Sequence, residues 1–243
     1  MSDIFYNQCK KLYMDAFHDD AEFTDLLFKL FYDSSCKYLC VDGNVVSMLF
    51  AIDVTLDSFK GKYIYAVATD ERYRGKGYMR SLFEDIFHEY KTQYDFFCLK
   101  PMDDSLFDFY EKLGFVKCFK KSTVIIKDSS YFFKLKDLTD INEIKRVRKY
   151  FLGQNYVEYS DLFFKLLLSY CEMLTDDKDN PTVFAVREKQ SSKIKEILGD
   201  YNHLPKDFSN VPLLIPGIDS DFAMVKFLND NRFENKYLGF ALD

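Results

Sequence analysis

The chain has 243 residues, enough for one large domain or two modest ones. Hydrophobic residues make up 48% of it, with 26 Phe and 18 Tyr, so core formation is not limiting and a disordered chain is excluded. A net charge of −6 argues against nucleic acid or an acidic membrane as partner and would suit a cationic substrate.

In chain order, residues 5–17 read as a helix with Leu12, Tyr13, Ala16 and Phe17 on one side. Asp19 or Asp20 caps a second helix whose stripe is Phe23, Leu26, Leu27, Leu30 and Phe31. Tyr38 to Val41, the turn Asp42-Gly43-Asn44 and Val45 to Val54 predict a hairpin. Tyr63, Tyr65 and Val67 alternate with Ile64, Ala66 and Ala68; both sets are apolar, as in a strand covered on both faces.

The run Arg72-Tyr73-Arg74-Gly75-Lys76-Gly77 follows, and then Met79, Leu82, Phe83, Ile86 and Tyr90 recur at helical spacing. A glycine loop that opens a helix aims backbone N–H groups one way, at the positive end of the helix dipole, which suits a phosphate or pyrophosphate. Gly75 and Gly77 lack the Cβ that would hold such a group away, and Arg72, Arg74 and Lys76 add positive charge. A second apolar strand, Asp95 to Leu99, is closed by Pro101. Ser105 to Leu113 then reads as a short helix with Leu106, Phe109 and Leu113 inward, stopped by Gly114, and Phe115-Val116 starts the next strand.

This order of strand, (Gln/Arg)-x-x-Gly-x-Gly loop, helix, strand and Tyr110-x-x-x-Gly114-Phe115 resembles the GNAT superfamily of acetyl-CoA-dependent acyltransferases over about residues 10 to 127. The opening Leu12-Tyr13-x-x-x-Phe17, the acidic connection and the hairpin look like the start of tandem members, in which a catalytic domain precedes a degenerate one. The implied fold is α/β, a mixed, mostly antiparallel sheet flanked by helices, with a catalytic domain at 1–127 and a degenerate companion at 128–243 joined near Asp128-Ser129-Ser130. In the second half Thr139 is expected to cap a helix with Ile141, Ile144, Val147 and Phe151 inward, and Asp161 to open another with Leu162, Phe163, Leu166, Leu167 and Tyr170. A strand is expected over Thr182 to Val186, a short helix around Ile194, Ile197 and Leu198 ending at Gly199, and last strands at Val211 to Ile215 and Tyr237 to Leu242. No second glycine loop occurs there, so no second CoA is expected.

The resemblance implies acetyl transfer from acetyl-CoA to the amine of a small molecule or peptide by direct attack on the thioester. Backbone amides of Arg74, Gly75, Lys76, Gly77, Tyr78 and Met79, with Arg72 at the head of the motif, would take the pyrophosphate. Val67, Ala68 and Thr69 match the strand whose bulge-splayed backbone pairs with the pantetheine arm like an added strand, and an N–H there, that of Thr69, could face the thioester carbonyl. Tyr110 matches the tyrosine that serves as general acid: a phenol with a pKa near 10 stays protonated at neutral pH and can deliver its proton to a thiolate of similar basicity. Where many members carry a Glu, this chain has Lys62, Tyr63 and Tyr65; deprotonation is left to ordered water, Asp53 or the terminal carboxylate of Asp243. Asp103 replaces an Asn that contacts the cofactor in many relatives and is not given that contact.

Two other readings stay open: a non-catalytic acyl-CoA sensor, which the missing Glu favours, and a phosphate- or nucleotide-binding protein sharing only the loop. Six cysteines without CxxC pairing read as reduced thiols, and neither a leader nor an apolar run of membrane length is visible, which predicts a cytoplasmic protein. His18, His88 and His203 have no partner at metal-ligand spacing, so no metal is expected. Cys98 reads as a buried structural thiol, and Asp176 to Asn180 lacks the Gly and closing Glu of a calcium loop. Lys145-Arg146-Val147-Arg148-Lys149 reads as a solvated helix face.

Overall fold

A computed structural model of the chain describes residues 2–126, 135–154, 156–191, 193–233 and 236–239. The expected joint at 128–130 and the terminal Asp243 lie outside them. By compactness the chain forms two units, Met1–Lys117 with Ala223–Phe233, and Cys118–Phe222 with Glu234–Asp243. The first unit thus ends before the expected joint and takes in a distant piece of chain.

The first unit contains helices α1 (Ser2–Phe17) and α2 (Ala21–Ser35), strands β1 (Cys36–Val41), β2 (Asn44–Leu56) and β3 (Phe59–Thr69), helix α3 (Tyr78–Tyr90), strand β4 (Phe96–Leu99) and helix α4 (Phe107–Glu111). Strand β5 (Val116–Ile125) leads out of it. Asp20 caps α2, accepting from the Phe23 N–H at 2.8 Å. The β1–β2 turn places Asp42 and Gly43 both at positive φ, 50° and 76°, the requirement of a tight hairpin turn. Strands β1, β2 and β3 pair antiparallel and β3 pairs β4 in parallel. Met224 to Phe227 pair antiparallel with Leu99 to Phe96, while Phe233 packs on Phe59 and Phe96. That is why residues 223–233 belong to this unit.

Alternation along the strands sends side chains to two cores. On one face Tyr13 of α1 and Phe28 of α2 meet Tyr65 and Phe50. On the other, Met79, Leu82, Phe83 and Ile86 of α3 and Phe107 and Tyr110 of α4 pack with Leu49, Ala51, Ile64, Phe97 and Leu99. Phe107 and Tyr110 of α4 are buried where Leu106 and Phe109, only partly buried, were expected, one residue out of phase, while Leu113 just beyond the helix is buried as expected. A 3-10 turn over Asp104–Leu106 precedes the helix and shifts its register.

Gly61 pairs Phe96 across the parallel ladder, and a Cβ at Gly61 would lie 2.3 Å from the Phe96 ring. Gly61→Ala is therefore expected to destabilise the chain by about 2–3 kcal/mol through overpacking. Urea unfolding measures it; a loss below about 0.5 kcal/mol would mean that the ring moves aside freely.

In the second unit, β6 (Lys136–Asp137), α5 (Ile141–Leu152), β7 (Glu158–Tyr159), α6 (Asp161–Tyr170), β8 (Cys171–Thr175), β9 (Val183–Glu188), β10 (Ile194–Gly199) and β11 (Pro212–Pro216) follow in order, and β12 (Ser220–Phe227) returns to the first unit. Strands β10, β9, β8 and β6 form an antiparallel sheet, and β11 pairs β5. Asp140, not Thr139, caps α5, accepting from the Glu143 N–H at 3.0 Å, and Ser160 caps α6. The segment expected as a short helix at Ile194–Gly199 is strand β10. Its helix-like spacing arises because a register shift between Ile194 and Glu196 changes phase and the strand is buried on both faces. Among the described residues the expected last strand is reduced to one parallel bridge between Tyr156 and Tyr237. Arg148, read as part of a solvated face, is fully buried against Glu196 of β10. Among the described residues no helix is long and apolar enough to cross a membrane.

Candidate active site

β3 carries the site's first element. Met48 pairs Ala68 and Phe50 pairs Tyr65, so Ala66 and Val67 together oppose the single residue Leu49. This is a β-bulge, and Ala66 holds φ at +53°, a left-handed conformation that a residue with a Cβ adopts only under local constraint. The ladder to β4 covers only Gly61, Lys62 and Tyr63, opposite Phe96, Phe97 and Cys98. From Ile64 onward, among the described residues, β3 pairs only with β2. Its other edge, including Val67, Ala68 and Thr69, presents main-chain groups to which an extended ligand can add.

The loop after β3 is braced from below. Asp70 donates its N–H to the Val46 carbonyl at 3.0 Å, and its carboxylate accepts from the Arg72 N–H and from the Arg72 guanidinium at 3.1 and 2.8 Å. That guanidinium, bonding first through its side chain, holds Asp70 below the usual carboxylate range. Arg72 is therefore a brace whose charge is already paired. Arg74 Nε donates to the Thr69 carbonyl at 3.2 Å and its backbone N–H to Glu71 O at 3.3 Å. Lys76 Nζ lies 5.0 Å from the Tyr73 ring centre.

Gly75 and Gly77 adopt φ of +74° and +83°, and a Cβ at either would meet nothing within 4 Å. Gly77 stands at the N-terminus of α3, whose first helical bond runs from Ser81 N–H to Gly77 O at 3.0 Å. Among the described residues, the N–H groups of Gly75, Lys76, Gly77, Tyr78, Met79 and Arg80 make no hydrogen bond. Residues alternating around positive φ, followed by a helix start, make an anion-binding concavity. The open space at both glycines fits a diphosphate.

Tyr110 is buried, its ring edge-on to Phe83, Phe109 and Phe115 at centroid distances of 6.1, 5.1 and 5.9 Å. Burial first, and the Asp103 carboxylate second, push its phenol well above the ordinary tyrosine range. Its hydroxyl makes no hydrogen bond among the described residues. Asp103 caps the turn before α4, accepting from the Ser105 N–H at 2.8 Å.

Asp53 is excluded as a base by position. It pairs with Lys62 Nζ at 2.8 Å and accepts from the Tyr94 hydroxyl at 2.8 Å. It lies four residues beyond the Leu49 opposite the bulge, about 13 Å along the strand. On the α1–α2 face a different acidic group approaches. Tyr13 donates to Asp19, in the connection between the helices, and the Tyr13 and Tyr65 hydroxyls are 3.0 Å apart. Sequence reading missed Ala66, Asp70 and this chain of hydroxyls. Asp70 was detectable as an Asx residue two before Arg72, whereas nothing local marks the bulge.

The residues 1–118 match the family model described as acetyltransferase (GNAT) domain. No curated protein matches the chain in sequence. Among solved structures, a candidate acetyltransferase from Pyrococcus horikoshii aligns at TM-score 0.67 and 13% identity, over 98% of this chain and 91% of its own. A GCN5-related N-acetyltransferase from Anabaena variabilis aligns at TM-score 0.63 and 16% identity, over 92% of this chain and 70% of its own. Eis1 from Mycobacterium abscessus aligns at TM-score 0.67 and 8% identity, over 94% and 72%. At these identities the likeness is one of fold, and it agrees with the mixed, mostly antiparallel sheet and flanking helices described above. The N-terminal segment that carries the bulged strand, the glycine loop and the buried tyrosine is thus the part of the chain that matches the acetyltransferase (GNAT) domain model.

Proposed function

We propose that the protein transfers an acetyl group from acetyl-CoA to the amine of a small molecule or peptide. The observation that carries this reading is the set of uncommitted N–H groups from Gly75 to Arg80 at the start of α3, one loop beyond the unpaired edge of β3. The amides of Gly75, Lys76, Gly77, Tyr78 and Met79 hold the diphosphate, and Arg74 and Lys76 supply the positive field; the Arg74 amide is left out because Glu71 occupies it. The edge at Val67, Ala68 and Thr69 lines up the pantetheine arm. Bound acetyl-CoA supplies the activated acyl carbon and a thiol leaving group. Tyr110, kept protonated by burial, hydrogen-bonds and protonates the departing sulfur; the same dry surroundings raise thiolate basicity, which keeps the transfer matched. The C-terminal half, residues 128–243, which has no such loop, serves as a GNAT-like companion without a CoA site of its own.

The test is thiol release from acetyl-CoA with a panel of amines, run on the native chain and on Tyr110→Phe. The variant is expected to lose about 10²-fold in kcat, with CoA affinity by calorimetry within about twofold. Unaltered turnover would remove Tyr110 from the mechanism. Tight CoA binding without thiol release on any amine would favour an acyl-CoA sensor instead.

A further inference from the structure

A transferase acting on an amine that is an ammonium ion at neutral pH must remove a proton before the nitrogen can attack. No carboxylate lies on β3 between Phe59 and Thr69, and Asp53 is engaged with Lys62 away from the bulge. We propose that Tyr65, Tyr13 and Asp19 form the proton exit for the acceptor amine, with Tyr65 receiving the proton and Asp19 holding it. This assignment rests on the acetyl-transfer reading above.

Three features of the fold support it. Tyr65 directly precedes Ala66, the left-handed residue of the bulge, so its hydroxyl-bearing side chain starts where β3 leaves β4. The side chain lies on the α1–α2 face, stacked on Phe17 at 6.5 Å and on Tyr63 at 6.4 Å, whereas Tyr110 belongs to the α3–α4 face. Proton removal and proton delivery are thus carried by separate groups on opposite sides of the sheet. Finally, the hydroxyls are polarised in one direction: Tyr13 donates to Asp19, which leaves its oxygen to accept from Tyr65 at 3.0 Å, and the Tyr65 oxygen then accepts from the ammonium.

The step balances without another reactant. The ammonium N–H proton passes to the Tyr65 oxygen as the Tyr65 proton moves to Tyr13 and the Tyr13 proton to the Asp19 carboxylate. The products are a neutral amine, two unchanged phenols and a neutral Asp19. Asp19 is partly exposed and can release the proton to water. Burial lifts its carboxyl above the usual range, Tyr13 works against that, and the neighbouring Asp20 adds to it, so Asp19 is a better proton acceptor than a solvated aspartate. The titratable groups facing it are Tyr13 of α1 and Asp20 beside it, with Tyr65 of β3 behind Tyr13.

The test compares kcat/KM against pH for the native chain, Asp19→Asn and Tyr65→Phe, with spermidine, kanamycin and a lysine-bearing peptide as acceptors. With the relay intact, the reactive pair is ionised Asp19 and the ammonium, so the native profile is flat between the ionisation of Asp19 and the pKa of the amine, near 10. With either substitution only the neutral amine in solution reacts. The profile then falls about tenfold per pH unit below that pKa, and the loss at pH 7 is about 10³-fold. CoA affinity by calorimetry stays unchanged in both variants, which reports that the fold and the donor loop are intact; should Asp19→Asn fail to fold, Tyr65→Phe carries the test. A uniform drop with the flat profile preserved would mark the three residues as structural and overturn the relay alone. Absence of native turnover on all three amines, with CoA bound, would overturn the relay together with the transfer reading.

Discussion

Replacing Gly75 and Gly77 together by alanine is expected to lower CoA affinity about 10³-fold while the chain remains folded. Both residues hold φ in the left-handed region, where an L side chain costs about 1–2 kcal/mol. Neither Cβ would strike anything within 4 Å, so the cost to the folded chain is limited to that strain and relaxes if the loop changes shape. The change of shape is what binding cannot tolerate. In the proposed function the amides of residues 75 to 79 are diphosphate donors only while both glycines turn the backbone, and each such charge-assisted bond would contribute about 1.5–3 kcal/mol. Loss of two of them is about 4 kcal/mol, close to three powers of ten in Kd. Calorimetric titration with CoA measures the loss, and circular dichroism shows whether the fold survives. A Kd within threefold of the native value would mean that these amides do not grip the donor, and the transferase reading would go with them.

How much of this was legible in the sequence depends on whether the cause was local. Periodicity alone placed α1, α2, α3 and the β1–β2 hairpin, because each buries a continuous stripe that its own residues declare. The glycine loop was legible for the same reason, since positive φ and a helix start are properties of a few adjacent residues. The bulge was not. Tyr63 to Ala68 alternates as a regular strand would, and the kink at Ala66 appears only in the register against β2. Likewise β12 belongs to the first unit through pairing with β4, more than a hundred residues earlier, which no local pattern encodes. The relay was hidden by ambiguity of residue type. Tyr13 fits an apolar stripe and Asp19 fits a helix cap, and only the fold brings the two together with Tyr65.

Arg148 shows the same limit, with the largest expected effect on stability. Within a run of basic residues on α5 it looked solvated, yet its Nε and Nη2 donate to Glu196 of β10 at 3.0 and 3.2 Å, with both side chains fully buried. The Tyr156 ring lies 5.1 Å from the guanidinium. At Gly239 a Cβ would come within 2.6 Å of Arg148 Nη2 and 3.0 Å of Glu196 Oε1, so the pair is roofed by bare backbone. Burial alone would lower the Arg148 pKa, but the Glu196 carboxylate outweighs it and holds the guanidinium charged above its usual range. Arg148→Ala therefore leaves an uncompensated buried carboxylate and a cavity, and is expected to destabilise the second unit by about 3–5 kcal/mol. The paired replacement Arg148→Met with Glu196→Leu removes both charges, keeps volume, and is expected to fall within about 1–2 kcal/mol of the native chain, since attraction in such a pair roughly offsets desolvation. Urea unfolding of the two variants separates the cases. A single substitution as stable as the native chain would show that water reaches Glu196; a double variant as unstable as the single would show that the site needs the ion pair for its shape and not merely for charge balance.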